Sequence, residues 1–304
     1  MRTGHIGIAI ESFTPCDRLN TLPAALHARS YGLPLILEFI LGGALVGFIV
    51  GATGVGGGSL MTPLLTLVFG IPAQIAVGTD LLFASITKLQ GVVAHSRRGN
   101  VQWHLAGWLT LGSLPAAIAT LVALHAWAPN PAQFAALVRP ALAAALLLTA
   151  VGLILKPRIQ ALGLRLQTAA RATPPNARVG SLDRVAARPL PTIALGLVIG
   201  VMVTLTSVGA GVVGVVALFF LYPTMAAKRL VAVDIAHAVP LTLVAGLGHA
   251  ALGTVNWPVL GALLIGSLPA IWIGAVVADR LPEATLRGFL AAMLILIGAR
   301  LALV

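Results

Sequence analysis

Charge is what this chain has least of. Of its 304 residues only 9% are charged, eight of them acidic, where a soluble domain carries roughly 25%. With 59% of residues hydrophobic and a mean hydropathy of +1.01, no soluble fold has enough interior to hide the apolar surface. The solvent must be lipid. The single cysteine, Cys16, excludes an intramolecular disulfide framework and any multi-cysteine metal or redox relay. There is no Walker-type phosphate loop to drive pumping with ATP. Residues 1–32 lack a continuous apolar core with a small-residue cleavage site, so no signal peptide is expected. The formal charge of +11 does not point to nucleic acid, because most of the Arg lies in short loops and one linker, as membrane topology signals do.

What is present is a sequence that repeats itself. Shifted by 154 residues without a gap, Asp80 falls on Asp234, His95 on His249, Gly99 on Gly253, Trp103 on Trp257 and Gly107 on Gly261. The run Gly112-Ser113-Leu114-Pro115-Ala116 falls on Gly266-Ser267-Leu268-Pro269-Ala270. Apolar composition aligns leucines by chance, but not an Asp, a His and a Trp in one register.

Apolar segments run at Leu33–Thr53, Ser59–Phe69, Ala73–His95, Trp103–Trp127 and Ala132–Leu155, then at Leu190–Thr206, Val212–Tyr222, Ala226–His249, Trp257–Ala278 and Thr285–Val304. Most approach the roughly 20 residues a spanning helix needs, and the second of each set is too short. The expected architecture is an all-α polytopic membrane protein: a disordered extension (1–32), a membrane repeat (33–155), a basic cytoplasmic linker (156–189) and a second repeat (190–304). Arg97-Arg98, the linker, Lys228-Arg229 and Arg280 belong on the cytoplasmic side. The uncharged turns at 70–72, 128–131, 207–210 and 250–256 belong outside or within the membrane. These placements agree only if the first two segments of each half form a glycine-broken hairpin followed by three spanning helices, which makes the repeats inverted. Arg2, Arg18 and Arg29 then lie outside, the one discord.

Two glycine-rich breaks carry the strongest functional signal: Gly51-Ala-Thr-Gly-Val-Gly-Gly-Gly-Ser59, answered by Thr204-Leu-Thr-Ser-Val-Gly-Ala-Gly211. Unwound backbone survives at membrane depth only around a protein-lined or watery cavity, and paired interruptions in two repeats point to a transporter's substrate site. The short helices starting near Ser59 and Val212 would aim free N–H groups at that cavity, a geometry suited to an oxyanion. Candidate substrate contacts are Gly54, Gly56, Gly57, Gly58, Ser59, Ser207, Gly209, Gly211 and Lys88. The alternative for such glycines is close helix packing, the preferred reading for Gly42, Gly43 and Gly47.

Asp80 and Asp234 each sit inside a spanning segment and must face the interior. Their roles are either proton coupling or a structural hydrogen bond to a broken helix. Lys88, opposite Thr242, is either the partner of Asp80 or part of an anion site. His237, opposite Phe83, is a lumen residue or a satisfied core group. His95 and His249 read as hydrogen-bonders at the membrane boundary, and Trp103 and Trp257 as interfacial anchors. No cofactor or metal is expected, and the partners are a small anion and the lipid bilayer, with a homo-oligomer left open.

Gly54-Val-Gly-Gly-Gly58, Pro63-Leu-Leu, Ala76-Val-Gly-Thr-Asp-Leu-Leu82 and the His95-to-Gly99 stretch resemble the TauE/SafE sulfite-exporter family, also described as the toluene-sulfonate uptake permease type. The resemblance covers about Leu33 to Val304 and is poorly specific for substrate. It implies a bacterial inner-membrane secondary transporter of sulfur oxyanions or organosulfonates such as sulfite. The second copy departs from the pattern, with Val208-Gly-Ala-Gly211 in place of the triple glycine. Two alternatives remain at this stage. One is a passive anion channel. The other is an intramembrane aspartate-dependent enzyme, against which stands the absence of a Gly-x-Gly-Asp motif at Asp80 and Asp234.

Overall fold

The computed structural model describes residues 33–53, 58–127, 131–172, 188–223, 225–277, 288 and 291–299. Among these no strand occurs, and the helices follow in order. Helix α1 is Leu33–Thr53, and α2 is Gly58–Pro63 with a π turn at Leu64–Val68. Helix α3 is Ala73–Arg97, α4 Trp103–Trp127, α5 Pro131–Ala172, α6 Pro189–Thr206 and α7 Val212–Leu221. Helix α8 is Ala227–Ala251, α9 Trp257–Val277, and a last helical stretch α10 covers 291–299. Six of them (α1, α4, α5, α6, α8 and α9) are long and apolar enough to cross a bilayer. Leu37, Leu45, Val122, Val198, Ile265 and Trp272 stand exposed on these helices, as expected where lipid is the solvent.

The duplication survives as geometry. The bounds of α3 and α8 differ by 154 at both ends, and α2 and α7 and then α4 and α9 begin 154 apart. Both α3 and α8 end in the same turn. Gly99 and Gly253 take φ of +65° and +73°, and Asn100 and Thr254 donate their N–H groups to the carbonyls of His95 and His249 at 3.1 and 2.9 Å. Only a residue without Cβ enters that left-handed conformation without cost.

Packing between the copies is reciprocal. Helix α1 packs on α9, and its counterpart α6 packs on α4, while α3 and α8 pack on each other at the centre. Gly43 and Gly47 of α1 lie against the backbone of Leu263 and Ser267, and Gly196 and Gly200 of α6 lie against Leu109 and Ser113. In both pairs residue numbers rise together, so the helices run parallel. Helices α3 and α8 run antiparallel: Gly78 meets Thr254 and His249, Leu82 meets Gly246, and Gly91 meets Ile235. The first helices match at a shift of 153, one less than the rest, because the second break is one residue longer.

Two departures from the sequence reading concern element ends. Helix α5 does not stop at Leu155 but continues through Pro157 to Ala172, into the stretch read as linker. The first break is shorter than its glycines suggest, since α2 already begins at Gly58. Gly54, Gly56 and Gly57, like residues 1–32 and 173–187, lie outside the described residues.

Candidate functional site

Helix α3 carries the chemistry and is sheathed by protein. From Ala76 to Ser85 every residue is buried, Asp80 completely. A carboxylate in such a place survives only with donors around it, and the first copy supplies them. The N–H of Thr62 donates to Asp80 Oδ2 at 3.2 Å, and its hydroxyl to the same oxygen at 2.5 Å. Thr62 belongs to α2, so Asp80 fastens the short helix after the first break to the central pair. The hydroxyl of Ser207, from the second break, faces the same carboxylate without closing a bond: Ser207 Oγ and Asp80 Oδ1 have no hydrogen-bond partner among the described residues.

The second break is built from unusual backbone. Helix α6 ends when Ser207 turns left-handed at φ 57°, donating its N–H to Val203 O at 2.7 Å. It is the one non-glycine with positive φ among the described residues, a conformation that costs of order 1 kcal/mol and clusters at functional sites. Val208 N–H then donates to Thr206 Oγ1 at 3.1 Å. Gly209 and Gly211 follow at φ +126° and +141°. Helix α7 starts from Gly211, with Gly214 N–H on Gly209 O and Val215 N–H on Gly211 O, each 3.0 Å. The carbonyl of Ala210 turns out of this run and accepts a hydrogen bond from Lys88 Nζ at 3.2 Å.

Lys88 therefore joins α3 of one copy to the break of the other. It is 5% exposed, and its ammonium acts through space on both Asp234 and Asp80. Its counterpart Thr242 has no such reach and donates instead to Ala238 O at 2.8 Å within its own helix. The carboxylates, matched in sequence, are unmatched in surroundings. Opposite Thr62 stands Val216, which has no hydroxyl, and opposite Leu60 stands Gly214. A Cβ at Gly214 would overlap Asp234 Oδ1, and that oxygen has no hydrogen-bond partner among the described residues.

His237 lies one turn beyond Asp234 and is completely buried. Its Nε2 pairs with Ser113 Oγ of α4 at 2.9 Å, and its Nδ1 has no partner among the described residues. In the other copy Phe83 replaces the imidazole, and the hydroxyl of Ser267, the match of Ser113, has no hydrogen-bond partner among the described residues. The boundary histidines also part company. His249 is fully buried, donates from Nε2 to Thr204 O at 3.0 Å and pairs through Nδ1 with Thr254 Oγ1 at 2.9 Å. His95 is half-buried, and its Nδ1 has no partner among the described residues. His249 thus pins the end of α6, just ahead of the break, to α8.

Asp80, Lys88, Ser207, Gly209, Gly211, Asp234 and His237 therefore converge on the α3–α8 centre. The backbone of Gly58 and Ser59 opens α2 beside them. Thr62, Ser113, Gly214 and the Ala210 carbonyl were missed by sequence reasoning. The signal for the first and third was there: positions 62 and 60 break the repeat, reading Thr against Val216 and Leu against Gly214. Among the described residues no group of three or more His, Cys, Asp or Glu could hold a metal ion.

Comparison with known proteins identifies the family. The sulfite exporter TauE/SafE family model matches residues 39–301. A probable membrane transporter protein of Bacillus subtilis, YjnA, is 36% identical over 265 residues, 87% of this chain and 99% of that protein. A second from the same organism, YdhB, is 26% identical over 80% of this chain and 90% of its own length. A probable membrane transporter protein of Xylella fastidiosa (strain Temecula1) is 29% identical over 79% and 83%. No solved structure matches. With a family model covering most of its length and a relative aligned end to end, the chain belongs to the TauE/SafE family of multi-pass membrane transporters.

Proposed function

We propose that this protein is a secondary transporter, permease or exporter, of a small anion in a bacterial inner membrane, and that the anion is a sulfur oxyanion or organosulfonate such as sulfite. The observation that carries the reading is Lys88: a buried ammonium on α3 whose hydrogen bond goes to the unwound backbone of the second break. A cation placed there gives an anion a counter-charge, and the free N–H groups at the start of α2 and α7 give it donors. Gly54, Gly56, Gly57, Gly58 and Ser59 would contribute from the first break, and Ser207, Gly209 and Gly211 from the second. The family description, sulfite exporter, supplies the chemical class.

The same reading makes the two copies inverted in the membrane. Its support is that α3 and α8, equivalent by sequence, lie antiparallel across the centre. A spanning helix and its own duplicate that run in opposite directions belong to copies of opposite topology, which is the arrangement alternating access exploits.

Flux in liposomes tests the function. Labelled sulfite and a short alkanesulfonate should enter saturably and accelerate by counter-exchange, with carboxylates as controls. Lys88→Met should lower that flux at least about tenfold, the loss expected when a buried charge pair is removed, at unchanged protein level. Unsaturable flux without exchange would make the protein a channel. Undiminished flux in the Lys88→Met variant would remove the anion site from this position.

A further inference from the structure

We propose that Asp234 is the proton-coupling site of this transporter, with His237 as its proton donor and acceptor and Lys88 as the group that reports its charge to the anion, while Asp80 is structural. The proposal rests on the transporter reading above and assigns roles that the duplication alone leaves equal.

The two carboxylates occupy equivalent places, so their difference lies in what surrounds them. Asp80 Oδ2 takes both the N–H and the hydroxyl of Thr62 and holds α2 in place. A group that fastens two elements cannot gain and lose a proton at every transport cycle without loosening them. Among the described residues Asp234 has no counterpart of the Thr62 bonds, because the matching residue is Val216. The wall beside Asp234 Oδ1 is the bare backbone of Gly214, and that oxygen, like Asp80 Oδ1, has no hydrogen-bond partner among the described residues. A buried acceptor left without a donor costs about 1–3 kcal/mol, a cost that protonation of the carboxylate reduces.

His237 completes the arrangement. It lies three residues on, hence on the same face of α8 as Asp234. The hydroxyl of Ser113 reaches Thr110 O at 3.5 Å, which leaves its oxygen to accept from His237 Nε2–H at 2.9 Å. Nδ1 is then the bare nitrogen, able to take a proton and return it.

Helix α3 presents Asp80 and Lys88, and the Lys88 ammonium interacts electrostatically with both Asp234 and Asp80. Helix α4 contributes the neutral Ser113, its own histidines 104 and 125 lying near its two ends. Helices α6 and α7 carry no titratable side chain within Pro189–Thr206 or Val212–Leu221.

The chemistry follows from charge. When a proton moves onto an Asp234 oxygen, the carboxylate becomes neutral and Lys88 loses one of its two counter-charges. The ammonium is then free to exchange the Ala210 carbonyl for an anion entering between the breaks. When the proton leaves, the carboxylate reclaims Lys88 and the anion is released. Proton and anion move in the same direction, one for one, and the step is electroneutral for a monoanion. Linkage makes the apparent affinity for the anion tighten by up to about tenfold per pH unit of acidification while Asp234 is mainly deprotonated.

The test uses the full chain in proteoliposomes with a short alkanesulfonate, whose charge does not change across the pH range as that of sulfite does. An internal pH dye reads proton movement and labelled sulfonate reads counterflow. In the wild type an inward sulfonate gradient should acidify the lumen. Asp234→Asn should convert coupled flux into pH-independent exchange, with no lumenal acidification and less than about twofold change in affinity per pH unit. Val216→Thr, which offers Asp234 the hydroxyl that Asp80 has, should weaken coupling without removing a charge, and serves if Asp234→Asn does not fold. Asp80→Asn should keep coupling at lower stability. Acidification that persists in Asp234→Asn, or that survives unchanged in Val216→Thr when Asp234→Asn cannot be made, overturns the assignment. Loss of coupling in well-folded Asp80→Asn overturns it as well. Absence of counterflow for the sulfonate, sulfite and sulfate alike in the wild type would instead overturn the underlying transporter reading.

Discussion

Adding one methyl group to either of two glycines should separate helices that the duplication holds together. At Gly47, on α1, an added Cβ would lie 2.6 Å from Ser267 O and 2.7 Å from Ser267 Cα. At Gly200, its counterpart on α6, a Cβ would lie 2.5 Å from Ser113 O and 2.8 Å from Ser113 Cα. Carbon contacts are comfortable at about 3.5–4.0 Å, so each helix must retreat by about 1 Å. The atoms met are backbone, which cannot swing away as a flexible side chain does. Overpacking of this kind costs about 1–3 kcal/mol, against which alanine returns up to about 1 kcal/mol of helix propensity. Gly107 and Gly261 supply the internal control. They are also a duplicated pair, but nothing lies within 4 Å of a Cβ at either. Gly107→Ala and Gly261→Ala should therefore hold or raise stability by up to about 1 kcal/mol, and since that gain is common to both sets the gap between them is the overpacking cost, about 1–3 kcal/mol. Thermal unfolding in detergent would show it as about 2–5 °C in apparent melting temperature. If Gly47→Ala and Gly200→Ala melt together with or above the controls, the close parallel packing of α1 on α9 and α6 on α4 is refuted.

Two further changes separate structural from functional polar groups. Thr62→Val removes the 2.5 Å hydroxyl bond to Asp80 and keeps the backbone one, so stability should fall by about 1–2 kcal/mol while transport in liposomes keeps its pH profile; a profile that shifts with this variant would make Asp80 a coupling group. His249→Phe should lower the melting temperature far more than His95→Phe, because among the described residues only His249 bonds a buried carbonyl of another helix, Thr204 O, while also holding Thr254 of its closing turn. Equal losses would show that both are boundary residues of one kind.

Much of the architecture is legible in the sequence because lipid simplifies the problem. A spanning segment must be apolar, about 20 residues long and internally hydrogen-bonded, so segment positions follow from composition, and the start of α3 at Ala73 and of α4 and α9 at Trp103 and Trp257 are read directly. Duplication doubles every signal and brings Asp80 and Asp234 to notice. The end of α5 is not legible. Once the helix leaves the apolar stretch at Leu155, Lys156-Pro157 resembles a stop, yet a proline removes one bond and helices with tertiary support continue through it. Thr62 shows in the sequence only as a mismatch with Val216, and nothing there says which group it meets until Asp80 is placed against it.

A symmetric scaffold has two equivalent sites, and two equivalent sites cannot tell substrate from coupling ion. On the proposed assignment, each substitution that breaks the repeat at the centre removes a role from one copy and leaves it to the other. Thr62 against Val216 gives one carboxylate bonds to α2 that its twin lacks among the described residues. Lys88 against Thr242 gives the centre a single cation that touches the opposite copy's break, whereas the threonine bonds only to its own helix. Phe83 against His237 places an imidazole one helical turn from Asp234 and an inert ring at the matching position of the other copy, where Ser267 Oγ has no hydrogen-bond partner among the described residues. The duplicated residues thus build the frame, through glycine contacts and paired turns, and the unmatched ones set its chemistry. Restoring symmetry at a single position, as Val216→Thr does, should therefore leave the frame standing and blur the division of labour within it.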